Sequence, residues 1–110
     1  MKAKLLSVAA AAVMVLGVSQ ANAADMPPLA KKSGCTACHA IDKKVVGPAW
    51  ADVSKRYKGN AAAKADLIAK VKKGGKGNWT EVTKGVPMPP YSPRVADADI
   101  EQLVDFVLGL

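Results

Sequence analysis

The chain has 110 residues, a formal net charge of +7 and few aromatic residues: two Trp, two Tyr and one Phe. This length is enough for one domain and too short for two. Most of the apolar residues are small, and a domain of this size commonly needs a disulfide, a metal or another group to complete its core. The composition therefore predicts one domain whose interior is not filled by side chains alone.

The first residues have the pattern of a secretory signal peptide. Lys2 and Lys4 supply positive charge, residues 5–18 are apolar, and a small-x-small cleavage site ends at Ala23. The apolar run is shorter than the roughly 20 residues that a membrane-spanning helix needs. Signal peptidase is therefore expected to cut after Ala23.

Cleavage divides the chain into a signal peptide, residues 1–23, and one exported domain, residues 24–110. Loss of the first two lysines lowers the formal net charge from +7 to +5, so the exported domain stays basic. A basic surface suits nucleic acid, anionic lipid or an acidic protein, and export argues against nucleic acid. We expect a periplasmic protein without stable insertion in the membrane.

The exported part predicts an all-α fold of about four helices, because helical stretches alternate with glycine and proline and no alternating strand pattern occurs. The first helix is expected to begin at Pro27 and Pro28, which are tolerated where backbone N–H groups are unpaired, and to end near Gly34. A short second helix, with Trp50 on its apolar side, is expected to end at Gly59.

Asn60 is a suitable N-cap for a third helix over residues 61–73, which has a lysine-rich end followed by two glycines. Residues 74–94 contain glycines and four prolines, a composition that predicts a long loop without any regular element. The final helix is expected to begin near Asp97, because apolar residues then recur at helical spacing. They are Ile100, Leu103, Val104, Val107 and Leu108.

All the cysteines and the only histidine of the chain lie in one five-residue stretch, Cys35-x-x-Cys38-His39. This spacing lets two thiols bond to the two vinyl groups at one edge of a porphyrin while the next residue offers an imidazole to the iron. The motif therefore predicts one covalently bound haem c, with His39 as an axial ligand. Export fits this prediction, since bacterial haem attachment of this kind takes place outside the cytoplasm.

Other functions of the same residues agree less well with the sequence. A disulfide between Cys35 and Cys38 would close a very small loop, constrain the unfolded chain little and leave His39 without a role. A thioredoxin-type thiol pair would need a β-sheet, which the sequence does not predict. A structural zinc site needs four ligands, and the fourth would have to be a carboxylate.

An iron that carries electrons without binding a substrate needs a sixth ligand, and the chain has no second histidine. Met1 and Met14 leave with the signal peptide, so Met26 and Met88 remain. Met26 lies near the start of the exported chain, whereas the prolines around Met88 reduce the entropy lost when its thioether is held in place. We therefore predict Met88 as the ligand; the alternative is a core methionine that fills a gap.

The ring of a metal-binding histidine usually donates its second N–H to a carbonyl or a carboxylate. The carbonyl of Pro48, which follows Gly47, is the predicted acceptor for His39. A plain turn proline is the alternative, and it is compatible with this role because the role uses the backbone alone.

Together these features resemble the short, high-potential bacterial class I cytochromes c. The markers of that family occur here in the same order along nearly the whole exported chain: the Cys-x-x-Cys-His motif, Gly47-Pro48, Trp79 in a glycine-rich loop and the prolines around Met88 before a final amphipathic helix. The resemblance implies about four helices around one haem c, with His39 as the proximal ligand and Met88 as the distal ligand.

The resemblance also implies that the N–H of Trp79 and the side chain of Lys70 meet the haem propionates. The sequence departs from the family pattern in two places. Residues 80–85 lengthen the stretch after Trp79, and Tyr91 stands where relatives often have an asparagine that orients the thioether. The phenol of Tyr91 is expected either to donate to the sulfur or to cover the haem.

These features predict an electron-transfer protein and not an enzyme: a soluble, monomeric, periplasmic carrier of single electrons between respiratory or photosynthetic redox proteins. Two other functions stay open. A haem enzyme or gas sensor would use a displaceable sixth ligand, and a thiol oxidoreductase would carry no haem.

The expected partners are redox proteins with acidic docking surfaces, such as a reductase, an oxidase or a reaction centre. The lysines close to the haem-attachment motif are predicted to form a positive docking face: Lys31, Lys32, Lys43 and Lys44. One alternative is that these lysines only keep the domain soluble. Another is an apolar docking face near Met88 that includes Val86 and Tyr91.

Overall fold

The computed structural model describes residues 25–110, so the predicted signal peptide lies outside the described residues. Within them the chain forms five α-helices: α1 (Pro28–Lys32), α2 (Trp50–Tyr57), α3 (Ala63–Lys73), α4 (Thr80–Thr83) and α5 (Asp97–Leu108). A 3₁₀ turn covers Cys35–Ala37. No strand forms in this part of the chain beyond two isolated bridges, and the predicted all-α class is confirmed.

The first helix is short because its sequence supplies a start and an early stop. Pro27 precedes it in extended conformation, and Pro28 occupies the first turn, where a missing N–H leaves no helical bond unmade. The helix ends at Lys32, slightly before the predicted end near Gly34. Gly34, with φ +86°, then redirects the chain into the 3₁₀ turn that carries Cys35.

The third helix begins two residues later than predicted, so the proposed capping role of Asn60 was wrong. The side-chain oxygen of Asn60 accepts the N–H of Ala62 at 3.0 Å, and its carbonyl accepts the N–H of Ala63 at 3.2 Å. A side-chain bond to the backbone two residues ahead is the hydrogen bond of an Asx turn. Asn60 therefore shapes a turn before α3, and Ala62 occupies the cap position.

The expectation that residues 74–94 contain no regular element was also wrong, since α4 lies within them. The N–H groups of Val82 and Thr83 both donate to the carbonyl of Trp79 at 2.9 Å, which closes a single helical turn. Residues 80–84 contain neither glycine nor proline, so a helical turn is sterically permitted between the flanking breakers. Lys84 and Gly85, with φ +55° and +82°, end it.

Helix α5 organises the core by packing against α1, α2 and α3. Its residues Leu103 and Val107 join one buried cluster with Ala30, Cys35, Trp50 and Val53, while Ile100 and Val104 join a second with Tyr91 and Val95. The apolar spacing predicted for the last helix is thereby confirmed. One helix contributes to both clusters because its apolar face is broad enough to touch elements on two sides.

Ion pairs connect α3 and α5 at the surface. The ammonium of Lys64 lies 2.9 Å from Glu101 and 3.1 Å from Asp105, and that of Lys72 lies 3.1 Å from Asp97. Hydrogen bonds to Glu101 and Asp105 raise the pKa of Lys64. Exposed pairs of this kind add little stability singly, so the apolar clusters remain the main reason that α3 and α5 pack side by side.

Candidate haem site

A mostly apolar cavity lies between α2, α3, α5 and the glycine-rich segment after α3. The volume of this cavity, measured as the space open to the centre of a water molecule, is about 270 Å³. Its apolar wall is contributed by all three helices: Trp50, Val53, Tyr57, Leu67, Val71, Leu103, Val104 and Val107. The composition predicted an interior that side chains alone do not fill, and this cavity between the helices is such a space.

The two cysteines differ in exposure and are not joined in a disulfide. Cys35 is buried, lines the cavity and has a thiol pKa raised by that burial, whereas Cys38 is half-buried. Reactive thiol pairs lie in partly exposed, electropositive surroundings, which differ from those of the buried Cys35.

The imidazole of His39 lines the cavity and is fixed by its second nitrogen. Nδ1 lies 2.8 Å from the carbonyl oxygen of Pro48, at the position where the sequence predicted the acceptor. Burial lowers the pKa of His39, and the Pro48 carbonyl opposes that shift only in part. With Nδ1 donating to Pro48, the neutral ring keeps the lone pair of Nε2 for a metal ion.

Close packing against Gly47 fixes the plane of the His39 ring. A Cβ atom at position 47 would lie 2.5 Å from Cε1 of the ring and 3.0 Å from Nδ1, which real side chains do not tolerate. The Trp50 ring lies beyond, with its centroid 5.8 Å from that of the imidazole. A larger residue at position 47 would therefore force the imidazole to shift.

Met88 lines the same cavity and is held by backbone contacts to a distant glycine. The N–H of Gly75 donates to the Met88 carbonyl at 2.8 Å, and the N–H of Met88 donates to the Gly75 carbonyl at 3.0 Å. A Cβ on neighbouring Gly74 would collide with the Met88 carbonyl oxygen. Met26, by contrast, is not among the residues that line the cavity and packs beside the cluster that contains Ala30 and Trp50.

The remaining predicted site residues, Lys70 and Trp79, also border the cavity. The Lys70 side chain passes over Gly77, where an added Cβ would lie 2.9 Å from its Cε and 3.0 Å from its Nζ. Trp79 precedes α4 and has the guanidinium of Arg56 over its ring, 4.3 Å from the centroid. The lining of this mostly apolar cavity thus includes an ammonium and an indole.

Tyr91 does not border the cavity and is only 5% exposed, inside the second buried cluster. Its ring packs under the guanidinium of Arg94, 4.9 Å from the centroid, and burial raises the pKa of its phenol. The expected apolar docking face was therefore wrong in including Tyr91. Val86, the other residue expected there, is 50% exposed.

This set of groups fits a covalently attached haem. Two thiols with the required spacing, a neutral imidazole and a thioether are carried by segments that enclose one apolar space, and a cationic edge faces the same space. Among residues 25–110, no cluster of three or more His, Cys, Asp or Glu side chains is arranged to hold a metal ion.

A family model described as cytochrome c matches residues 20–110. The chain belongs to the cytochrome c family. It is 52% identical to cytochrome c-551 of Allochromatium vinosum over 82 residues, which are 74% of this chain and 82% of that protein. It is 44% identical to cytochrome c-552 of Hydrogenobacter thermophilus over 100 residues, or 91% and 92% of the two chains.

The crystal structure of wild-type Nitrosomonas europaea cytochrome c552 matches the fold with a TM-score of 0.67 and 43% identity, over 74% of this chain and 95% of that one. As a member of this family of cytochromes c, the chain binds one covalent haem c with its iron. It is an electron-transfer protein and not an enzyme.

Several residues of this cytochrome that shape the site were not found from the sequence. Gly74, Gly75 and Gly77 each make room for a neighbour, and Arg56 covers the ring of Trp79. A run of glycines after a helix is visible in the sequence, but it does not reveal which segment will approach it. No motif or spacing around Arg56 in the sequence indicates that it contacts Trp79.

Proposed function

We propose that the protein is a periplasmic carrier of single electrons, in which His39 and Met88 are the axial ligands of the haem iron. The observation that carries the proposal is that one apolar cavity is lined by Cys35, His39 and Met88 together. When bound, haem supplies an iron that alternates between the ferrous and ferric states. His39 and Met88 would hold that iron through an imidazole and a thioether, so no substrate would be needed at the metal and little rearrangement would accompany each transfer.

Each remaining site residue has a proposed role at the haem. Cys35 and Cys38 form the two thioether bonds, and Pro48 holds the tautomer and orientation of the proximal imidazole. Lys70 and the indole N–H of Trp79 are proposed to meet the haem propionates, and the support is that both residues border the cavity. These roles account for every polar residue that the sequence assigned to the site.

Replacing Met88 by His tests the axial assignment. A neutral thioether favours ferrous iron more than a second imidazole does, so Met88→His is expected to lower the reduction potential by roughly 0.1 V or more, within the about 0.8 V range that axial ligands span. The weak ferric sulfur charge-transfer band should also vanish. Met26→Leu is the matched control and should leave both observables unchanged; an unaltered potential in Met88→His would show that Met88 is not on the iron.

A ligand titration separates the carrier from a haem enzyme or gas sensor. At stoichiometric concentrations the reduced protein is expected not to bind nitric oxide and the oxidised protein not to bind cyanide, because Met88 occupies the sixth position. Tight binding that displaces the thioether would instead favour the displaceable-ligand function.

We also propose that residues 1–23 are a signal peptide and that the exported protein begins at Ala24. No helix among residues 25–110 has the length and apolarity to cross a bilayer. The intact mass after acid-acetone extraction should equal that of residues 24–110 plus one haem. Retention of residues 1–23, or release of the haem by this treatment, contradicts the proposal.

The proposed partners are redox proteins with acidic docking surfaces, which a monomer of this protein meets through the four lysines that flank the haem-attachment motif. All four are exposed: Lys31, Lys32, Lys43 and Lys44. Lys44 also pairs with His39 in an isolated backbone bridge, so its position is tied to the proximal ligand. Weak, charge-guided contacts suit a carrier that must dissociate quickly after each transfer.

A further inference from the structure

An arginine from α2 stacks over the ring of Trp79. The guanidinium carbon of Arg56 lies 4.3 Å from the centroid of the indole ring, within the range of a cation–π contact. Trp79 is half-buried and borders the haem cavity, whereas Arg56 is exposed and is not among the residues that line the cavity. The indole therefore contacts both the cavity and a cation on the protein surface.

The same guanidinium also contacts a carboxylate of α4. Nη1 of Arg56 lies 3.4 Å from Oε1 of Glu81, which is in the first turn of α4. An exposed ion pair of this length stabilises little by itself. Its effect here is geometric, because Trp79 opens the helical turn that carries Glu81, and one guanidinium contacts both the ring and the carboxylate.

We propose that Arg56, fixed by Glu81, is a positioning residue that clamps the indole of Trp79 against the wall of the haem cavity and limits the entry of water there. The clamp joins α2 to the segment of residues 80–85 that contains α4. This inference deepens the proposed function and rests on it, because it assumes that the haem in this cavity is the group that carries the electron.

A planar guanidinium is suited to this task. It stacks flat on an aromatic face while its edge donates to a carboxylate, whereas a lysine ammonium is a compact, strongly hydrated charge. When the indole leaves the wall, water reaches the cavity and stabilises the more highly charged ferric state. The reduction potential therefore falls with solvent access.

The test uses the reduced, haem-containing protein and compares Arg56→Gln, Arg56→Lys, Glu81→Gln and the control Lys55→Gln. Lys55 is the exposed neighbour of Arg56 on α2, so its replacement removes the same charge without touching the indole. Hydrogen exchange of the Trp79 indole N–H, followed by NMR, is expected to speed up about two- to fivefold in Arg56→Gln, matching the strength of an exposed cation–π contact. Arg56→Lys and Glu81→Gln should give smaller increases, and Lys55→Gln none.

The reduction potential provides the second measurement. Arg56→Gln is expected to lower it more than Lys55→Gln does, and this excess should disappear when both substitutions are compared in a Trp79→Leu background. Equal shifts in the two variants, with unchanged indole exchange, would overturn the proposal by showing that Arg56 acts only as a surface charge. Indole exchange does not depend on electron transfer, so a failure of the proposed carrier function is seen separately, in the Met88→His experiment.

Discussion

The two sides of the haem cavity are built differently. On the side of His39 the supports are close in sequence: Nδ1 meets the Pro48 carbonyl, the ring packs on Gly47, and residues 47–50 are all buried. On the side of Met88 the flanking residues 86, 87, 89 and 90 are exposed, and the backbone is held by Gly75 from a separate segment.

This difference predicts that the two sides vary in local stability. The His39 side is covered by buried neighbours and retains its structure as long as the core does. The Met88 side depends on two backbone hydrogen bonds with exposed surroundings, a combination that marks segments that open at low free-energy cost. Substitutions at single glycines can test each side separately, because each side contains one glycine that no larger residue can replace without collision.

The largest effect is expected from Gly74→Ala on the Met88 side. Gly74 has φ +69°, and an added Cβ would collide with the backbone of Met88 and lie 2.8 Å from the Pro89 carbonyl carbon. Because backbone atoms must move, we expect the free energy of unfolding to fall by about 1–3 kcal/mol beyond the cost of the conformation itself. Chemical denaturation measures this loss of stability. The intensity of the ferric sulfur band measures whether the displaced Met88 still binds the iron.

Gly59→Ala is the matched control for this variant. Gly59 also has a positive φ, +79°, but nothing within 4 Å of an added Cβ, so it reports the cost of a positive φ without a collision. Equal destabilisation by the two substitutions, with an intact sulfur band in Gly74→Ala, would show that the close contact between Gly74 and the Met88 backbone does not hold Met88 in position.

A smaller loss of stability, with a distinct spectroscopic result, is expected from Gly47→Ala on the His39 side. The new Cβ would lie 2.5 Å from Cε1 of the imidazole, so the ring must shift and its bond to Pro48 must lengthen. We expect a changed reduction potential and a cost of about 1 kcal/mol, at the low end for overpacking because a side chain yields more easily than backbone.

Gly109→Ala is the control on this side, since Gly109 has φ −83° and its nearest contact to an added Cβ is 3.2 Å away. It should not alter the potential. If Gly47→Ala also left the potential and the NMR signals of the His39 ring unchanged, the ring would not depend on Gly47 for its orientation.

The smallest effect is expected on the rate of electron transfer to a partner protein. Its measurement shows which side of the molecule contacts that partner. Steering by Lys43 and Lys44 predicts that the second-order rate with an acidic redox partner falls as salt rises, and that reversing both charges to Glu slows it further without moving the potential much. Reversal of Lys55 and Lys58 is the control for net charge, since both are also exposed. A rate indifferent to salt and to Lys43/Lys44 reversal would place docking on the apolar Met88 side, where Val86 is exposed.

Sequence reasoning succeeded where the signal was local. The last helix was recognised from the spacing of Ile100, Leu103 and Val107, and the structure buries all three. It failed at α4 and at Asn60, where a single turn of chain is too short for a periodic pattern. At Tyr91 it placed a residue by its neighbours in sequence, but packing under Arg94 and against α5 buried the ring instead.

The sequence by itself determined the chemistry of this protein, because covalent haem attachment requires two thiols and an imidazole at fixed spacing within five residues. Only the tertiary structure decided how the cavity is closed. The pairing of Met88 with Gly75 and the stacking of Arg56 on Trp79 join segments that are distant in the chain. Such contacts depend on how helices pack, and local residue preferences do not encode which partners will meet.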